Sequence, residues 1–224
     1  MPILRDLELN LSADDILRAQ GGDPASIRAR RPQFVEIAEQ ALAEGLPLLQ
    51  PTVLYQRFQI KSLVHDRLLL DGGGVLSGPL IRQHLAGASQ VAVVASTIGP
   101  DLEKRAAVAS DWTYGLALDG VGSAAAEALA EAACHRLEEM GAREGLKATT
   151  PINPGLVGWP VLEGQQEIFG LLDGQEIGMT LLPTGLMLPQ KSISFVIGLG
   201  IGIVSGGGTC DYCGMRERCR YRAC

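Results

Sequence analysis

The sequence predicts an α+β fold, and three stretches carry that expectation. Residues 179–200 read M-T-L-L-P-T-G-L-M-L-P-Q-K-S-I-S-F-V-I-G-L-G. Pro183 and Pro189 rule out a continuous helix there. Each apolar arm is short and rich in branched residues, so two or three strands with tight connections are expected. Residues 90–95, Q-V-A-V-V-A, read as a buried strand. Residues 111–141 give the longest helical pattern, with Leu116, Val121, Ala125, Ala128, Leu129, Ala132 and Leu137 near one face.

The other elements follow in chain order. Residues 4–11 alternate Leu4, Leu7, Leu9 and Leu11 imperfectly with polar residues, which suits a first strand. Ser12 followed by Asp15 is a helix start with acidic residues in the first turn, and Gly21-Gly22 is its stop. A second helix fits 24–44, divided by Pro32. Pro51 opens an extended segment, 52–60. Asp71-Gly72-Gly73-Gly74 is a turn between strands, and 78–85 a short helix. Pro100 suits the first position of the helix after the 90–95 strand. Residues 148–160 hold Pro151, Pro154 and Pro160 with Gly155 and Gly158 and form no regular element; stiff loops of this kind often carry function. Residues 163–172 form one more helix. Within 179–200, Ser192, Ser194 and Val196 alternate with Ile193, Phe195 and Ile197, so one strand face is expected to be packed and the other partly polar.

A chain of 224 residues with 46% hydrophobic content can bury a substantial core. Aromatics are only 4%, so small and aliphatic residues do the packing. A net charge of −6 argues against a nucleic-acid partner, which requires a concentrated basic surface. The longest apolar run, 193–204, is too short to span a membrane, and no secretory leader opens the chain. The expectation is a soluble cytoplasmic protein with a body over 1–204 and a tail over 205–224, tethered by Ser205-Gly206-Gly207-Gly208.

The tail carries Cys210, Cys213, Cys219 and Cys224, spaced C-x2-C-x5-C-x4-C. Four thiols in one short tethered segment can converge on one metal centre. An iron–sulfur cluster, structural zinc, and disulfides or unliganded thiols all fit, and spacing alone does not separate zinc from iron–sulfur. Arg216, Arg218, Arg220 and Arg222 lie among them. They offset an anionic cluster, dock an acidic partner, or only solubilise the tail. Cys134, in the long helix, reads as core filler. His65, His84 and His135 lack a ligand spacing. Gly115, Gly120, Gly122 and Ser123 leave the first half of the long helix nearly bare, which favours tight packing and also admits a ligand. Asp119 and Glu127 read as a solvated face. Lys191 faces a site or only water.

Four segments resemble a known family: A-S-T-I-G-P-D-L-E-K-R (95–105), L-D-G-V-G-S-A-A-A-E-A-L-A (118–130), P-G-L-V-G-W-P (154–160) and L-M-L-P-Q-K-S-I-S-F-V-I-G (186–198). In this order they are similar to the activation domain of vitamin B12-dependent methionine synthase, over residues 5–204. The tail resembles the cysteine-rich extension of some stand-alone members. The resemblance implies a curved, largely antiparallel central sheet with flanking helices. It also implies a partner, a corrinoid protein or cobalamin-dependent methyltransferase. The family caps the corrinoid, binds S-adenosylmethionine and couples reduction of inactive cob(II)alamin to methylation.

On this resemblance the four tail cysteines would hold an iron–sulfur cluster, 4Fe-4S, with zinc as the alternative. The cluster would relay an electron from a donor such as a ferredoxin. The loop 151–160 and the turn 189–192 would form the corrinoid-facing rim, with Pro154, Gly155, Leu156, Trp159, Pro189, Lys191 and Ser192 as its residues. Trp159 would supply aromatic surface. The chain departs from the family's S-adenosylmethionine motif. Pro151 stands at the position of its arginine, Leu156 at that of its tyrosine, and Ile197 near that of a nucleoside-contacting aromatic. The guanidinium for the ligand's carboxylate is therefore absent, and S-adenosylmethionine use is left open. Two alternatives remain: a non-catalytic corrinoid-protein adaptor or chaperone with a structural zinc tail, and a methyltransferase acting on another acceptor.

Overall fold

The computed structural model describes residues 1–203 and Glu217. The chain runs β1 (Ile3–Leu4), α1 (Ala13–Ala19), α2 (Pro24–Arg30), α3 (Gln33–Gly45), β2 (Thr52–Val64), β3 (Arg67–Leu70), β4 (Val75–Ser77), α4 (Pro79–Leu85), β5 (Gln90–Thr97), α5 (Asp101–Ala107), α6 (Trp112–Arg143), β6 (Lys147–Ala148), α7 (Val161–Leu171), β7 (Thr180–Leu181), β8 (Met187–Leu188) and β9 (Ser192–Gly200). Short 3-10 turns lie at Leu46–Leu48, Asp71–Gly73 and Gly174–Ile177.

One antiparallel sheet organises the body, in the order β4-β3-β2-β5-β9-β6, with β1 paired to β2. It curls into a half-barrel, and β2 carries a bulge between Ile60 and Ser62 that helps it bend. β7 and β8 form a separate hairpin.

The strand period of two divides the core into two layers. Val53, Tyr55, Ala92, Val94, Phe195, Ile197 and Leu199 face α1, α3 and α6. Leu54, Val91, Val93, Ala95 and Val196 face α4, α7, Leu68, Leu76 and Trp159. β5 and β9 are thus covered on both faces. This corrects the expectation of a partly polar face on β9. Ser192 and Ser194 are as buried as their neighbours, and their hydroxyls donate internally, to Pro189 O at 2.7 Å and to Gln165 Oε1 at 2.8 Å.

The local signals account for most helix ends. Ser12 and Asp15 form a reciprocal capping box on α1. Pro32 divides the second helical stretch into α2 and α3. Asp111 caps α6 through Thr113 N and Tyr114 N. Three expectations need correction. Of the 4–11 region only Leu4 lies in a strand, β1, which it shares with Ile3; Leu7, Leu9 and Leu11 pack on the helical layer outside any strand. Pro100 is the N-cap of α5 and not its first helical residue. Leu116 is 44% exposed, whereas Val121, Ala125, Leu129 and Leu137 are buried.

Candidate functional site

The turn before β9 is held from three sides. The Leu188–Pro189 peptide bond is cis. Ser192 closes the turn on Pro189 O, and the Gln190 N–H donates to Glu103 Oε2 of α5 at 2.9 Å. Lys191 leaves the turn toward α6. Its Nζ donates to Ser123 Oγ at 2.9 Å and pairs with Asp119 Oδ1 at 2.8 Å. Its stem crosses α6 at Gly122, where a methyl group would lie 3.0 Å from Lys191 Cγ. The bare helix stretch admits side chains of this chain. Gly120 likewise sits against Gln20 and Ile16. Asp119, read as solvated, is half exposed and carries this ion pair.

Beside the turn lies an open groove of about 610 Å³. Glu103 and Lys104 of α5, Gln190 of the turn, and Trp112, Leu116 and Asp119 of α6 line it. Trp112 is 80% exposed. Trp112 is not among the residues that the sequence pattern marks out. Its signal was its place directly after the Asp111 cap, outside the buried phase of α6. A large exposed aromatic at a groove is a feature of interaction surfaces.

The loop 151–160 is built on the other layer. Ile152 bridges to Val196 of β9. Gly155 and Gly158 adopt φ of +104° and +91°, a region that favours glycine, and the Gly155 N–H donates to Trp159 O at 2.8 Å. The fold-back drives Trp159 fully into the core. Its indole N–H donates to Glu167 Oε2 at 3.1 Å; the same carboxylate takes the Ser77 N–H at 3.1 Å and the Ser77 hydroxyl. Trp159 is therefore an internal post. The expectation that it offers aromatic surface is not met, because the two glycines turn it inward. Pro154 is buried against Gly164, Leu156 is half-buried and Val157 is 68% exposed.

Val157 is joined by other exposed apolar residues on nearby segments: Val161 and Leu162 at the start of α7, and Leu186 in the β7–β8 connection. Gly155 and Gly185 both lie against this start of α7. Loop and turn thus flank the first half of β9, the loop on the α7 layer and Lys191 on the α6 layer.

His84, half-buried on α4, supports the start of the loop. Its Nε2–H donates to Thr150 O at 2.6 Å, and burial lowers its pKa, so the ring is neutral near pH 7. Pro151 and Leu156 are half-buried, and Ile197 lies wholly inside the helical layer. Cys134 is buried in α6, its thiol pushed up to about 12 by burial and by Glu138 and Glu131, which suits a filler. Cys210, Cys213, Cys219 and Cys224 lie outside the described residues. Among the described residues no group of three or more His, Cys, Asp or Glu could hold a metal ion. No helix of the described residues is long and apolar enough to cross a membrane.

No protein-family model and no curated protein sequence matches the chain. A solved structure does: the MetH reactivation domain bound to AdoHcy, similar at 15% identity over 94% of this chain and 85% of that one, with a TM-score of 0.61. At that identity the likeness is one of fold. It agrees with the curled antiparallel sheet and flanking helices described above.

Proposed function

We propose that this protein reactivates a corrinoid-dependent methyltransferase by docking on its cobalamin domain and passing one electron to cob(II)alamin. The observation that carries the reading is the fold likeness to a reactivation domain along nearly the whole chain. The four sequence segments that resemble the same family support it. The rim would be the two segments flanking β9. Pro154, Gly155, Pro189 and Ser192 set its backbone. Leu156 and Val157 offer apolar surface to a macrocycle, and Lys191 braces the turn against α6.

Cys210, Cys213, Cys219 and Cys224 would hold an iron–sulfur cluster, which would supply one-electron chemistry when bound. The four thiols of this donor set suit such a cluster, and the neighbouring arginines suit its negative charge. A ferredoxin-type donor in the cytoplasm would reload it. S-adenosylmethionine is not needed for this electron step, in keeping with Pro151, Leu156 and Ile197 at the ligand positions.

The test is anaerobic purification of the full chain, with iron, sulfide and zinc analysis and electron paramagnetic resonance. It is followed by reduction of a cob(II)alamin-loaded corrinoid protein. Iron and sulfide at cluster stoichiometry with conversion to cob(I)alamin are expected. A colourless protein holding one zinc removes the electron step. A second reading would then stand, favoured by the altered ligand positions: an adaptor or chaperone that binds the corrinoid protein and leaves cobalt unchanged.

A further inference from the structure

A second concavity lies away from the rim, between α2 and the start of α6. α2 reverses from α1 at Gly21-Gly22 and packs chiefly on α1 and α3. A cleft of about 500 Å³ remains on its α6 side, within the range of small-molecule sites. Leu17, Ile27, Phe34, Ile37 and Ala117 give it an apolar lining. Gln20 closes one wall by donating to Leu116 O at 2.9 Å, tying α1 to α6.

The charge on this cleft runs against the rest of the protein. The chain carries −6 overall, yet no Asp or Glu lines the cleft, whereas Arg30 and Arg31 both do. Six arginines elsewhere pair with carboxylates. Among the described residues Arg30 and Arg31 have no such partner. Arg31 is held with its guanidinium 6.0 Å from the Phe34 ring centroid. That contact occupies its face and leaves the in-plane N–H donors for a planar anion. Ser26 and Thr113 add hydroxyls to the lining.

We propose that this cleft binds a small amphipathic anion, a carboxylate, sulfonate or phosphate on an aromatic or branched aliphatic body. The head meets Arg30 and Arg31 and the body enters between Ile27, Phe34 and Ala117. The helix under this cleft is also the one that Lys191 grips. Occupancy would therefore bear on the same stretch of α6, since Leu116 lines both this cleft and the groove at Asp119.

The test uses 8-anilinonaphthalene-1-sulfonate as the anionic probe and N-phenyl-1-naphthylamine as its neutral counterpart, titrated by fluorescence into the full chain. Saturable binding of the anion, weakened by salt, is expected, with the neutral probe at least about tenfold weaker. Arg30→Gln/Arg31→Gln should lose about tenfold or more in affinity for the anion, and Ser26→Phe should block the cleft. Far-UV circular dichroism and thermal melts establish that both variants are folded. No saturable binding, equal affinity for the two probes, or a wild-type isotherm from either folded variant overturns the proposal.

Discussion

Lys191 Nζ lies 2.8 Å from Asp119 Oδ1 and 2.9 Å from Ser123 Oγ, so one side chain fastens the turn before β9 to the middle of α6. The lysine side chain is 18% exposed and the aspartate 52%. Lys191→Met keeps the stem over Gly122 and removes the charge. A partly exposed pair of this kind contributes about 0–1 kcal/mol, so urea denaturation should show a loss within that range. Exchange of the Gln190 and Lys191 amides should quicken more than that of β9. Unchanged exchange would mean that the turn does not depend on the latch.

Trp159 and Glu167 make a second, testable tie. Trp159→Phe keeps most of the ring and removes one of the three donors to the carboxylate, at a cost of about 1–3 kcal/mol. Trp159→Ala leaves a cavity as well and should cost about 3–5 kcal/mol. Equilibrium unfolding of the two variants checks the order.

The Arg57–Glu144 pair predicts a pH dependence. Arg57 Nη1 lies 2.5 Å from Glu144 Oε1 and joins β2 to the residue that caps the end of α6. Hydrogen bonds from the guanidinium, opposed in part by desolvation, hold the Glu144 carboxyl below its usual range. A lowered carboxylate pKa gives stability that is full above the unfolded value of about 4.3 and is lost as pH falls through the folded value. The difference in melting temperature between wild type and Glu144→Gln should therefore be constant from pH 7 to about 5 and shrink below that.

Cys134 should resist alkylation. A thiol with a pKa near 12 is almost wholly protonated at pH 8. Iodoacetamide on the native, chelator-treated chain should leave Cys134 unmodified by peptide mapping, and modify it once denaturant is added. Rapid native labelling would show that the lower half of α6 opens readily.

Trp112→Ala should barely change the melting temperature, since the ring is 80% exposed. If the groove beside the turn is part of the docking face, the same substitution should weaken binding to the corrinoid partner by tenfold or more, as lost aromatic anchors do. Surface plasmon resonance would read this.

Much of this architecture could be read from local chemistry. Ser12 with Asp15, Pro32 and the apolar run of β5 act through neighbours a few residues away, and the structure places them where the sequence put them. Periodicity was less informative about pairing. Leu7, Leu9 and Leu11 are half-buried or nearly so, as their pattern requires, yet they pack as irregular chain. Burial fixes which residues turn inward and not what their amides bond to. Trp159 shows the same limit in the candidate site. Its neighbours announced a stiff loop, but the buried partner that receives the indole is Glu167, itself held by Ser77 across 90 residues, a contact that no local rule encodes. Ser192 and Ser194 looked like solvent-facing positions because their acceptors, Pro189 O and Gln165, come from the fold.

β9 also acts as a measuring rod. Its 9 residues set the candidate rim at Ser192 apart from the exit of the chain at Gly200 by roughly 27 Å. Beyond β9 the chain turns at 201–202 and buries Ile203, and Cys210 follows Ile203 by seven residues, which at full stretch cover about 23–25 Å. On the proposed function, a centre on Cys210 acting at the candidate rim would have no chain length to spare. If that reading holds, excising Gly206, Gly207 and Gly208 would shorten the reach by about 10 Å and should slow reduction of cob(II)alamin while metal content stays the same.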